Sequence, residues 1–135
     1  VSEEFIESME YYAHMLYEND KIEEAGTLVE GILALDEERY YPYLLVGDIA
    51  LEEGRYEDAA TCLSAAAEFG PEDPMIEGKL GEALLHIDEI EAALGHLQKA
   101  TVVAEEEDNT YKRRAEVLIG LVGEAADAVG VGDGR

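Results

Sequence analysis

Small and apolar residues return along this chain at a fixed interval of 34 positions. Ala25, Ala59 and Ala93 form one column, and Ala13, Gly47 and Gly81 a second. Larger apolar residues keep the same phase: Val29, Leu63 and Leu97; Leu16, Ala50 and Leu84; Tyr12, Val46 and Leu80. Within one period the apolar positions follow helical spacing. Tyr56, Ala59, Ala60, Leu63 and Ala67 fall on one face of a 3.6-residue helix. A period of this length predicts stacked helix-turn-helix units. Gly47 and Gly81 each cost a helix about 1 kcal/mol relative to alanine, so close packing has to repay them. Asp20, Gly54 and Asp88 mark tight turns between paired helices. Pro42 and Pro74 fall where a helix tolerates proline, in its first turn. A seventh helix is expected from Thr110 to about Val129, because Tyr111, Ala115 and Leu118 hold the phase and can cover the last apolar face. The glycine-rich end, 130–135, reads as a flexible tail.

These columns resemble the tetratricopeptide repeat (TPR). The second unit carries the pattern most fully, with Tyr43, Val46, Gly47 and Ala50, then Gly54-Arg55-Tyr56-Glu57-Asp58-Ala59, Leu63, Ala66 and Pro71. The first matches with Met9, Tyr12, Ala13, Leu16, Ile22, Ala25, Val29, Ile32 and Leu35. The third matches with Leu80, Gly81, Leu84, Ile90, Ala93, Leu97 and Ala100, and departs at Glu77, where the family prefers a large apolar residue. The closing proline stands only in the second unit; Glu37 and Glu105 replace it in the others. The resemblance implies an all-α chain, a right-handed helical solenoid of three TPR helix pairs plus a C-terminal capping helix. It implies a single domain over 1–129, with repeats at about 6–39, 40–73 and 74–107. Within the TPR proteins the chain is similar to the translocator chaperones of type III secretion, on Tyr12-Ala13-His14-Met15-Leu16-Tyr17-Glu18 and Lys21-Ile22-Glu23-Glu24-Ala25. Those chaperones carry an extra N-terminal helix used in dimerisation, whereas about five residues precede the first repeat here.

Charge sharpens the functional classes. The chain has 33 acidic and 9 basic residues, a net of −24. Nucleic acid and anionic membranes are disfavoured as partners. The surplus is spread over every helix, which suits a solvated surface, and it also suits a basic partner. Lys112-Arg113-Arg114 is the sole basic cluster, and its plainest role is to relieve repulsion beside Glu105-Glu106-Glu107-Asp108. No apolar run reaches the roughly 18 to 20 residues needed to span a bilayer, and no secretory leader is read, so cytoplasmic residence is expected. The single cysteine, Cys62, reads as a buried structural thiol.

Catalytic, cofactor and metal sites are not expected. Glu82 and His86 lie four apart on one helix, but no third ligand stands at a fixed spacing. Cys62 has no histidine at a recognisable interval, and no glycine-rich phosphate loop follows a strand. The TPR resemblance instead implies a groove lined by the first helix of each pair. One column of it runs Tyr17, Leu51, Leu85 and Ile119. A second runs Glu7, Tyr41, Met75 and Asn109, with Leu44 and Gly78 beside it. A third runs His14, Asp48, Glu82 and Glu116. Two columns are largely apolar and one acidic, which suits a peptide with apolar anchors and basic groups. Heat-shock cochaperones use lysine and asparagine at such positions to grip an acidic C-terminus. Glu10, His14, Tyr17, Leu44, Asp48 and Leu51 stand there instead, and would repel one. The expected function is therefore a peptide-binding adaptor or chaperone holding a client protein. A structural subunit docked through its convex face or edges is the other reading, and a homodimer stays open.

Overall fold

A computed structural model describes residues 1–128. Val129 and the tail expected at 130–135 lie outside the described residues. Among those described there are seven helices and no strand. They are α1 (Glu3–Glu18), α2 (Ile22–Leu35), α3 (Tyr40–Glu52), α4 (Tyr56–Phe69), α5 (Pro74–His86), α6 (Ile90–Val103) and α7 (Thr110–Ala128). They fall into two compact units, Val1–Pro71 and a second beginning at Glu72.

The turns inside the three helix pairs are made the same way. Asp20, Gly54 and Asp88 have φ of 63°, 73° and 63°. In each, the amide of the left-handed residue and the amide after it bond back onto the ending helix. Asp20 N–H donates to Tyr17 O (3.0 Å) and Lys21 N–H to Leu16 O (2.8 Å). Gly54 and Arg55 repeat this onto Leu51 O (3.1 Å) and Ala50 O (2.8 Å), and Asp88 and Glu89 onto Leu85 O (3.1 Å) and Leu84 O (3.0 Å). This is the Schellman closure, which satisfies carbonyls that the helix end would otherwise leave open. Glycine adopts that φ freely, and aspartate is among the few other residues that visit it.

In the first unit α1, α2 and α3 close on a core of Ile6, Ala13, Val29, Ile32, Leu45 and Ile49. Helices α3 and α4 pack tightly because Gly47 has no side chain. A Cβ placed there would sit 2.7 Å from Leu63 Cγ, and Leu63 is fully buried. The second unit repeats the device. A Cβ on Gly81 would lie 2.6 Å from Leu97 Cγ. Ala25, Ala59 and Ala93 are all fully buried, as their column predicts. Tyr12 is not: it is 58% exposed, while Leu80 in the same column is buried. Helix α1 packs chiefly on α2 and α3, and neither covers Tyr12. Helix α7 packs on α5 and α6, with Ala115 against Leu97 and Ala100 and with Leu118 and Ile119 beside them. Asn109 starts α7 by accepting from the Tyr111 and Lys112 amides at 2.9 and 3.0 Å.

Glu77 is where the sequence departs from the TPR pattern. It is only 3% exposed. Its carboxylate is met by His96 Nδ1 at 2.7 Å and lies 3.8 Å from Lys99 Nζ, both on α6. A buried carboxylate persists only when paired in this way.

Candidate peptide-binding faces

In the first unit the predicted side chains come from α1 and α3. His14 lies between two partners. Its Nδ1 is 3.0 Å from the Tyr41 hydroxyl, and its Nε2 is 3.1 Å from Glu18. The Tyr17 hydroxyl donates to Glu52, which ties the end of α1 to the end of α3. Tyr17, Tyr41, Asp48 and Leu51 are half-buried and His14 is exposed. Burial, followed by the charges of Asp48, Glu10 and Glu18, pushes the Tyr41 phenol up to about 12. Burial and Glu52 likewise push the Tyr17 phenol up. Both hydroxyls therefore keep their protons well above physiological pH. Leu44 differs from the rest: it is 7% exposed, so it supports this face from below rather than presenting to solvent.

Beside these residues the first unit holds a cleft of about 720 Å³. It lies between α1, the segment Asp36–Arg39, the start of α3 and Phe69 at the end of α4. Carboxylates and aromatic rings dominate its lining, with Arg39 and His14 the basic side chains. Arg39 Nη2 and Nε donate to Glu10 at 2.6 and 3.1 Å, and Nη1 donates to Glu3. Those two carboxylates hold the guanidinium protonated above even its ordinary range. Sequence reading placed Glu7, His14 and Tyr41 here and missed Tyr11, Tyr40 and Phe69. Nothing in the repeat phase marks those three, since they line the cleft from three different helices.

In the second unit the predicted residues come from α5 and α7. Met75, Glu82, Leu85 and Ile119 are half-buried, and Gly78 is buried. A Cβ on Gly78 would lie 3.9 Å from Tyr111 Cβ, an ordinary contact. Glu82 does not stand open. Arg114 Nε and Nη2 grip it as a fork at 2.7 and 2.6 Å. Lys112 pairs with Glu107 at 3.1 Å, so two of the three basic residues of that cluster neutralise local carboxylates. Glu116 is exposed, and Asn109 is committed to capping α7.

Cys62 is half-buried rather than fully enclosed, and burial pushes its thiol up, which disfavours the nucleophilic thiolate. Among the described residues no group of three or more His, Cys, Asp or Glu side chains is placed to hold a metal ion. None of the described helices is long and apolar enough to cross a membrane.

No protein-family model and no curated protein matches the sequence. Solved structures do. The Yersinia enterocolitica type III secretion chaperone SycD, in complex with a peptide of the translocator YopD, superposes with a TM-score of 0.78 at 20% identity, over 92% of this chain and 96% of that one. Pseudomonas aeruginosa PcrH, in complex with the chaperone binding region of PopD, gives 0.79 at 20% identity, over 93% and 96%. YrrB, a TPR protein with an unusual peptide-binding site, gives 0.73 at 22% identity, over 88% and 62%. At such identities the likeness is one of fold: the chain has the helical-repeat fold of TPR proteins and resembles translocator chaperones in it.

Proposed function

We propose that this protein is a non-catalytic chaperone or adaptor of the cytoplasm that holds an extended segment of a client protein against the first helices of its repeats. The observation that carries this reading is the face on α1 and α3. There Tyr17 and Tyr41 stand half-buried near His14 and the Asp48 charge, and half-buried Leu51 follows Asp48 by about one helical turn along α3. Met75, Leu85 and Ile119, half-buried in the second unit, are proposed for the same role there, whereas Gly78 lies buried. Three neighbours of the same fold are described as peptide-bound or peptide-binding. A type III secretion translocator is therefore the client class we favour. In this reading 1–129 acts as one TPR domain, and the client carries apolar anchors and basic groups.

The test uses peptides selected from a random twelve-residue display library on the full chain, followed by calorimetry. Leu51→Asp places a charge where an apolar anchor docks and is expected to cost at least about 2 kcal/mol of binding. Glu57→Lys, on an exposed position of α4, is expected to leave binding nearly intact. The reading falls if Leu51→Asp stays folded and binds as the parent does while Glu57→Lys abolishes binding.

A second reading has its own support. Phe5, Tyr12 and Met15 on α1 are exposed, as are Val117 and Leu121 on α7. Exposed apolar side chains on one helix suit a second copy or an assembly neighbour. Analytical ultracentrifugation of Tyr12→Glu decides it. A monomeric parent removes the homodimer, and a dimer that this change dissociates supports it.

A further inference from the structure

The cleft of the first unit has a chemistry of its own. Arg39 and His14 are its basic side chains; the guanidinium is taken up by Glu10 and Glu3, and His14 lies against Tyr41 and Glu18. Glu7 and Glu38 also line the cleft, are exposed, and make no ion pair among the described residues. Three aromatic side chains of the lining are left to solvent: Tyr11 is 68% exposed, Tyr40 36% and Phe69 37%. Aromatic surface clustered in a concavity is costly to leave wet and marks a site of contact. Rings beside unpaired carboxylates select a cation, because ring faces and carboxylates both attract positive charge. Ring faces offer no lone pair to coordinate a metal ion and suit the weakly hydrated head and apolar stem of an organic cation. Arg39 shows inside the molecule that this wall accepts a guanidinium. A second copy of the chain is a poor occupant, since it carries 33 acidic residues against 9 basic.

We propose that this cleft seats one lysine or arginine side chain of the bound polypeptide, with Tyr11, Tyr40 and Phe69 as its aromatic walls and Glu7 and Glu38 as its counter-charges. The inference rests on the peptide-binding reading and adds to it a specificity pocket outside the Asp48 and Glu82 column. At about 720 Å³ the cleft has room for such a side chain and for the residue beside it.

The experiment selects twelve-residue peptides on the parent and on Glu7→Gln and Tyr11→Ala. Both positions are exposed and absent from the core, so both variants are expected to fold. Peptides from the parent are expected to be enriched in lysine or arginine at a fixed distance from their apolar residues. An arginine peptide is then compared by calorimetry with its citrulline counterpart, which keeps the shape and loses the charge. Citrulline is expected to weaken binding about tenfold on the parent and less than threefold on either variant. Selected peptides without basic enrichment overturn the inference. So does a citrulline loss that is equal on parent and variants. In both cases the peptide-binding reading stands if Leu51→Asp still weakens binding while Glu57→Lys does not. If Leu51→Asp has no effect while the citrulline loss depends on Glu7 and Tyr11, the cleft stands and the wider face falls. A selection that yields no peptide at all overturns both.

Discussion

Replacing Gly47 by alanine tests whether the 34-residue glycine column exists to let helices touch. Two effects oppose each other. Alanine favours a helix over glycine by about 0.8 to 1 kcal/mol. Against that, the new Cβ would stand 2.7 Å from Leu63 Cγ and 2.8 Å from Leu63 Cδ2. Leu63 is fully buried on α4 and cannot swing outward. Overpacking of this kind costs about 1 to 3 kcal/mol. The clash should win, leaving Gly47→Ala less stable by about 1 kcal/mol. Gly95, on an exposed part of α6 with nothing within 4 Å of its missing Cβ, supplies the control. There alanine should stabilise by about 0.4 to 1 kcal/mol. A cycle with Leu63→Ala isolates the cause. That change removes both clashing atoms and by itself costs about 2 to 5 kcal/mol. In its background Gly47→Ala should become stabilising by about 1 kcal/mol, a reversal of sign. Urea unfolding followed by circular dichroism measures all five proteins. A Gly47→Ala that stabilises the parent as Gly95→Ala does, or an additive cycle, would refute close approach as the reason for the glycine.

The remaining expectations concern the turns, the surface charge and a half-buried phenol. Asp20→Gly and Asp88→Gly should each stabilise by a few tenths of a kcal/mol or more, because both residues hold φ of 63°, while Gly54→Ala should cost about 1 kcal/mol; thermal melts order the three. A net charge of −24 should make the melting midpoint rise between about 0.01 and 0.15 M salt, as the Debye length falls from about 30 to about 8 Å, and a flat or falling midpoint would mean that the charges are already compensated. The Tyr41 phenol, raised to about 12, keeps its proton in the folded state where the unfolded chain has lost it. Its contribution is therefore complete below about pH 10 and lost as pH rises towards 12, so the stability of the parent should fall more steeply across that window than that of Tyr41→Phe in urea titrations.

Much of the fold was legible in the sequence because its cause is local and repeated. Phase alone located the three left-handed turns at Asp20, Gly54 and Asp88, since only residues that tolerate positive φ can stand there. It marked Ala25, Ala59 and Ala93 as crossing points, and Asn109 as the residue before the seventh helix. The same phase did not settle whether Tyr12 is buried, because a column records which face a residue occupies and not whether another helix covers that face. Cys62, read as a buried structural thiol, is half-buried on α4.

The candidate faces were legible in part. Tyr17, Tyr41 and Leu51 are half-buried, whereas Leu44 of the same proposed groove is enclosed. Pairing was decided elsewhere. Arg39 meets Glu10 and Glu3, Arg114 meets Glu82, and His96 meets Glu77, across separations that carry no periodic signal. The aromatic cleft likewise draws Tyr11, Tyr40 and Phe69 from three helices. Helical periodicity is set by backbone geometry over a few residues, so sequence by itself determined the elements, their turns and the small residues at their crossings. Which carboxylates stay unpaired, and which rings stay wet, depends on where long side chains end in space. Only the packed tertiary structure decides that.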